Sequence, residues 1–136
     1  MKIVIIGGVA AGATAAAKAR RQNESAEIIL LEKGPYISFA NCGLPYYVGG
    51  DIKERDNILL QSPESFKSRY NVDVYINTVA YAIDRGSKIV SAKKDGQTIE
   101  FSYDKLILAA GGEATIPPID GLKDVDYFTL RTVDDA

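Results

Sequence analysis

The sequence predicts an α/β fold, a parallel sheet accompanied by a small antiparallel β-meander, and three observations carry that prediction. A β-branched run, Lys2–Ile6, stops at Gly7-Gly8 and gives way to the Ala-rich stretch Ala10–Arg21. Glu27–Glu32 then supplies Ile28-Ile29-Leu30-Leu31 without polar alternation, which suits a strand buried on both faces. Further on, three short runs are separated by turn chemistry at Asp84-Arg85-Gly86-Ser87 and at Asp95-Gly96.

Taken in order, Lys2–Ile6 is expected as a strand, and Ala10–Arg21 as a helix with Lys and Arg in its last turn, ending near Asn23. With the strand Glu27–Glu32, the first 32 residues read as βαβ. Residues 33 to 50 are loop-like, punctuated by Gly34-Pro35 and Gly49-Gly50, with one helical turn or two expected over Cys42–Val48. Ser62-Pro63 has the form of an N-cap with proline at the first helical position, opening a helix to about Tyr70. Val72–Ile76 is expected as a strand, Val79–Ile83, Lys88–Lys93 and Thr98–Ser102 as the meander, and Lys105–Ala110 as a last buried strand ending at Gly111-Gly112. Thr132, with Asp134 and Asp135 behind it, looks like the N-cap of a further helix whose first turn coincides with the last residue. The expectation is therefore that residues 1–136 are the N-terminal part of a larger nucleotide-binding domain.

Composition narrows the function classes. The 136 residues carry 16 Lys+Arg against 18 Asp+Glu, and no basic run exceeds Arg20-Arg21 or Lys93-Lys94, so no nucleic-acid partner is expected. A single cysteine and no histidine leave nothing from which to build a His/Cys metal site. The apolar stretch Ile3–Ala17 is broken by Gly7-Gly8, is followed by Lys18, Arg20 and Arg21, and falls short of the roughly 20 residues that span a bilayer, so neither a signal nor a membrane segment is expected. One unpaired cysteine fits a reducing compartment, and a cytoplasmic location follows as an expectation.

Two constellations carry chemistry. Gly7-Gly8-Val9-Ala10-Ala11-Gly12 lies between strand and helix, and Glu32 stands 20 residues beyond Gly12 at the end of the second strand, which is the context a Rossmann-like dinucleotide fingerprint requires. Gly7 permits the tight turn and Gly12 the close packing of helix on strand. The helix N-terminus offers N–H groups to a pyrophosphate, and Glu32 accepts from ribose hydroxyls. Val9 departs from the usual middle glycine, so the phosphates must sit differently or the turn must hold this side chain aside. Glu32 followed by Lys33 suits an unphosphorylated adenosine ribose, as in FAD or NAD, better than NADP. The alternative is a glycine-rich turn without a ligand.

The second constellation is Ser38-Phe39-Ala40-Asn41-Cys42-Gly43-Leu44-Pro45-Tyr46-Tyr47, which sets the lone thiol just before a short helix. A helix N-terminus favours thiolate over thiol, and Ser38 and Asn41 are able to donate to sulfur or to a bound partner. The residues alone leave open a reactive cysteine and a small buried hydrophobe. With no second cysteine, any redox role needs a mixed disulfide with an external thiol, or a sulfenic acid.

Both constellations, together with Leu106-Ile107-Leu108-Ala109-Ala110-Gly111 and Leu130-Arg131-Thr132, resemble the flavin-dependent pyridine nucleotide-disulfide oxidoreductases. The likeness is to the single-cysteine branch of coenzyme A-disulfide reductases, NADH oxidases and NADH peroxidases, and it runs the whole length of the chain. It implies that Gly7, Gly8, Val9, Ala10, Ala11 and Gly12 hold the pyrophosphate of FAD and that Glu32 and Lys33 lie at its adenosine ribose. Adenine would meet backbone near Ala80. The flavin side would lie against Ala109, Ala110, Gly111 and Gly112, with Arg131 close by. Where the family usually reads Ala-Thr-Gly, this chain has Ala109-Ala110-Gly111, without the hydroxyl.

Within the branch, oxidases and peroxidases carry a histidine in the glycine loop where this chain has Ala10, which turns the resemblance toward the coenzyme A-disulfide reductases. Cys42 then implies the redox nucleophile. Thr14, Arg21, Ser38 and Asn41 match positions that contact coenzyme A, and Lys18 falls at another such position with a different residue type. Lys18 and Arg21, a turn apart on one helix face, could meet a substrate phosphate or simply be a solvated helix end. The resemblance further implies NAD(P)H as electron donor and a homodimeric full-length protein with further NAD(P)H-binding and dimerisation domains. The present residues alone are expected to be inactive.

Overall fold

A computed structural model describes all of residues 1–136. Seven strands and three helices run in the order β1 (Lys2–Ile6), α1 (Ala10–Gln22), β2 (Glu27–Leu31), α2 (Leu44–Val48), α3 (Pro63–Tyr70), β3 (Asp73–Tyr75), β4 (Val79–Asp84), β5 (Ile89–Lys94), β6 (Gln97–Ser102) and β7 (Lys105–Leu108). Short 3₁₀ turns cover Asn41–Gly43, Arg55–Ile58, Leu122–Asp124 and Val133–Asp135.

The absence of polar alternation in β1 and β2 has a direct structural counterpart. Ile3 and Ile5 of β1, with Ile28 and Leu30 of β2, point to one face, where they meet Ala13 and Ala16 of α1 and Phe66 of α3. Val4, Ile29 and Leu31 point to the other and meet Val90, Ala92 and Phe101 of the meander. The parallel sheet is therefore covered by helices on one side and by the antiparallel sheet on the other. Each large side chain buried there contributes about 1.5–3 kcal/mol.

The four-stranded sheet has the order β3-β2-β1-β7, all parallel, and the meander the order β4-β5-β6. The chain leaves β1 toward β2 on one side and returns as β7 on the other, so the order reverses at the carboxyl end of β1. Ligands of open α/β sheets bind in the crevice at such a switch point. The α1 helix ends where expected, with Asn23 as C-cap. The helix α3 opens with Ser62 accepting from the Ser65 amide in a capping box.

Two expectations are corrected. The strand β7 is not buried: it forms the edge of the sheet, and Leu108 is 65% exposed because nothing in residues 1–136 covers that edge. The helical stretch at Cys42–Val48 divides into a 3₁₀ turn holding Asn41–Gly43 and a five-residue helix from Leu44. The meander carries a bulge between Ala80 and Ala82. No helix is long and apolar enough to cross a membrane.

Candidate functional site

The fingerprint turn is built by close backbone approach. Gly7 has φ +100°, and a Cβ there would lie 2.1 Å from the Ala109 carbonyl oxygen at the end of β7. A Cβ on Gly12 would lie 1.7 Å from the Gly7 carbonyl oxygen, so only glycine lets the first turn of α1 seat against the strand end. No side chain caps α1 and its first turn contains no acid. Its leading N–H groups are thus left to a ligand, and the positive end of its dipole faces the crevice.

Glu32 follows β2 directly and is buried to 7% exposure. Its Oε2 accepts the Gly8 N–H at 2.6 Å and its Oε1 the Gly34 N–H at 2.8 Å. Each oxygen keeps a second lone pair, so the carboxylate both ties down the turn and remains an acceptor for a hydroxyl. The Glu32 carbonyl accepts from the Thr78 amide at 2.9 Å, which brings the start of β4, with Ala80, to the same end of the sheet. Lys33 is exposed and pairs with Glu113 at 3.3 Å.

On the other side of β1, Ala109 to Gly112 leave β7. The Ala109 amide donates to the Ile6 carbonyl at 2.7 Å, and a Cβ on Gly112 would meet no heavy atom within 4 Å. Arg131 lies over this turn, its Nε donating to the Gly112 carbonyl at 3.0 Å. A glycine cradle, an uncapped helix end, an acid with spare acceptor capacity and an open Gly111-Gly112 turn thus converge on one crevice. These residues fit an extended dinucleotide such as FAD.

The thiol lies on the neighbouring face of the same turn. Cys42 is exposed, not a buried core residue. It lines a groove of about 710 Å³ together with Val9, Ala10, Thr14, Arg21, Ser38 and Asn41. The loop carrying it is held against the fingerprint: Ser38, at φ +47°, donates its amide to the Gly8 carbonyl at 2.9 Å, and the Ala40 amide donates to Ile58. Asn41 Oδ1 is buried without a hydrogen-bond partner. Val9 is among the residues that line this groove.

Four of the five residues expected to meet a substrate therefore share one groove with Cys42. The fifth, Lys18, is exposed and outside the lining. The neighbouring Arg20 is structural, its guanidinium donating to the carbonyls of Tyr70 and Asn71 at 2.9 and 2.8 Å. Leu60, Gln61, Phe66 and Tyr70 also line the groove and escaped the sequence reading. The i, i+4 spacing of Phe66 and Tyr70 on α3 marks one helix face, but not which cavity that face meets.

The glycine cradle and the groove that holds the exposed thiol thus meet at the fingerprint turn, where Val9 and Ala10 form part of the groove lining. The family model for pyridine nucleotide-disulphide oxidoreductases matches residues 1–136, and the chain belongs to that family. It is 40% identical over 138 residues to an NADH oxidase of Methanocaldococcus jannaschii, covering 100% of this chain and 31% of that protein. It is 39% identical over 138 residues to a coenzyme A disulfide reductase of Staphylococcus haemolyticus, covering 99% and 30%. Among solved structures, an NAD-dependent persulfide reductase from A. fulgidus superposes with a TM-score of 0.93 at 40% identity, covering 99% of this chain and 26% of that one. The chain thus spans less than a third of the relatives it matches.

Proposed function

We propose that residues 1–136 are the FAD-binding segment of an NAD(P)H-dependent flavoprotein reductase that acts on coenzyme A disulfide or coenzyme A persulfide through Cys42. The observation that carries the reading is the single groove in which exposed Cys42 stands with Thr14, Arg21, Ser38 and Asn41 and which Val9 and Ala10 of the fingerprint turn also line. The full cycle belongs to the whole protein that contains this segment, which the resemblance implies to be a homodimer.

Gly7, Gly8, Val9, Ala10, Ala11 and Gly12 would carry the pyrophosphate, Glu32 and Lys33 the adenosine ribose, Ala80 the adenine edge, and Ala109, Ala110, Gly111, Gly112 and Arg131 the flavin end. Bound FAD would supply two electrons, taken from NAD(P)H, to the disulfide at Cys42. The Cys42 thiolate attacks one sulfur of the coenzyme A disulfide; a Cys42–S–S–CoA bond forms, the substrate S–S bond breaks, and a coenzyme A thiolate leaves. With a persulfide the leaving group is sulfide. Two electrons and a proton then return Cys42 to thiolate and release the second coenzyme A as thiol. Arg21 offers a fixed fork to a substrate phosphate, and Ser38 and Asn41 offer polar contacts beside the sulfur.

The likeness to an NADH oxidase favours a second reading, in which Cys42 cycles through a sulfenic acid with oxygen or peroxide as acceptor. The fingerprint residues that line the groove with Cys42 are Val9 and Ala10, and residues 1–136 contain no histidine to assist that chemistry. Anaerobic titration of the whole flavoprotein with NADH or NADPH, followed by coenzyme A disulfide turnover with and without Cys42→Ser, separates the readings. The proposal expects a long-wavelength thiolate–flavin absorbance band and disulfide turnover, both lost in the variant. A spectrum and a turnover indifferent to the substitution would overturn it, and peroxide turnover without disulfide turnover would select the second reading.

A further inference from the structure

A small apolar cluster lies under the Cys42 turn, centred on Leu44 and Ile58 and flanked by Tyr36, Phe39, Tyr47 and Ile52. All of these come from the segment between residues 36 and 59. The exception is Val133, 2% exposed, which enters the cluster from the far end of the chain. Next to it, Asp134 pairs with Arg55 at 2.9 Å, and the Arg55 guanidinium stacks over the Tyr36 ring at 5.1 Å. The Asp135 carboxylate accepts the amides of Arg131 and Thr132 at 2.8 and 2.6 Å, so the segment is a closed turn and not a trailing end. At its other end, Arg131 holds the Gly112 carbonyl beyond β7.

We propose that residues 131–135 form a strap that positions the Cys42 turn relative to the Gly111-Gly112 turn, with Val133 and Arg55 as its positioning residues. One five-residue segment grips both places between which, on the function proposed above, electrons must pass. A thiol on a 3₁₀ turn and a five-residue helix has little regular structure of its own to fix it. Beside the Ser38–Gly8 and Ala40–Ile58 hydrogen bonds that hold the loop on one side, the strap supplies a second attachment: Val133 fills the underside of the turn, the Asp134–Arg55–Tyr36 stack closes its flank, and Arg131 sets the distance to the far side of the crevice. The inference rests on the Cys42 reading for its purpose, while its mechanical content is separate.

The test uses the whole flavin-loaded protein with Val133→Ala and, because a core truncation can compromise folding, the exposed-site variant Arg55→Gln with Arg55→Lys as the conservative rescue. Amide hydrogen exchange at Gly43 and Leu44 is expected to speed about tenfold in Val133→Ala and about threefold in Arg55→Gln while β1 and β2 keep their wild-type rates. The thiolate–flavin band is expected to weaken in parallel, and Arg55→Lys to restore both. Exchange at Gly43 and Leu44 that stays at the wild-type rate, although the strap amides open, would overturn the proposal. If the wild-type protein shows no such band and Cys42 resists iodoacetamide, the functional reading fails instead, and the exchange data still decide the strap.

Discussion

Glu32 Oε2 accepts the Gly8 amide proton at 2.6 Å, so the acid that ends the second strand and the glycine turn that follows the first are joined directly. With Gly34 on its other oxygen, this buried carboxylate holds the crevice together as well as presenting an acceptor to it. Glu32→Gln turns an amide NH₂ toward one of the two backbone donors and leaves that N–H unsatisfied. The expected loss is about 1–3 kcal/mol of stability without any ligand present, read by chemical denaturation. A variant as stable as the wild type would show that the bonds carry no weight.

Two glycines should respond in opposite ways. Gly12→Ala places a methyl group 1.7 Å from the Gly7 carbonyl oxygen, and no flexible side chain is there to yield. The loss is expected to exceed about 4 kcal/mol and to appear as failure to fold. Gly112→Ala meets nothing within 4 Å, so its melting behaviour should stay within about 0.5 kcal/mol of wild type. Flavin retention should nevertheless fall, since the methyl group enters the space assigned to the cofactor. The yield of folded protein reads the Gly12→Ala outcome, and flavin fluorescence of purified Gly112→Ala beside the wild type reads the other.

Arg21 and Lys18 provide an internal control on the groove. Arg21 lines it and Lys18 does not. Arg21→Gln in the whole enzyme is expected to raise KM for coenzyme A disulfide about tenfold with kcat little changed, the pattern of lost uniform binding. Lys18→Gln should leave both constants unaltered. Equal effects from the two would place the substrate phosphates along the exposed helix face instead.

Acid should loosen the strap before it unfolds the sheet. The Asp135 carboxyl titrates below the ordinary aspartate value of 3.8, first because of the Thr132 amide and then because of the Arg131 amide and the Thr132 hydroxyl. A carboxyl whose folded value is depressed stabilises above the unfolded value, and the contribution disappears as pH falls through the folded one. The expected outcome is a loss of protection at the Arg131 and Thr132 amides, measured against the intrinsic exchange rate at each pH, as pH drops below 3.8. Asp135→Asn should abolish that pH dependence.

The βαβ start was legible because three independent signals coincide there: a β-branched run, a glycine turn, and a helix with its basic residues in the last turn. The meander was legible for the same reason, its turns at Asp84 to Ser87 and at Asp95-Gly96 being local chemistry. What escaped depends on distance in sequence. Nothing near Lys105–Leu108 reveals that this apolar run is an edge, because its neighbours are set by the order of strands. Nothing near Phe66 or Tyr70 points to a groove whose other wall begins at Val9. Val133 reads as one more apolar residue until the cluster beneath Leu44 is seen. Of the site, the residues joined by short motifs were identifiable, and the partnership of Glu32 with Gly8 required the folded chain.

The central strand also dictates an order of assembly. β1 is flanked by β2, whose partners lie about 25 residues away, and by β7, where Ile3 pairs with Lys105. Val4 and Ile5, fully buried in the finished sheet, cannot acquire their second neighbour until more than a hundred residues have been made. At about 5–20 residues per second, translation leaves that edge of β1 open for roughly 5–20 seconds. The nascent chain therefore emerges with its most apolar strand half paired, and its early vulnerability to aggregation or to chaperone capture is a consequence of strand order alone.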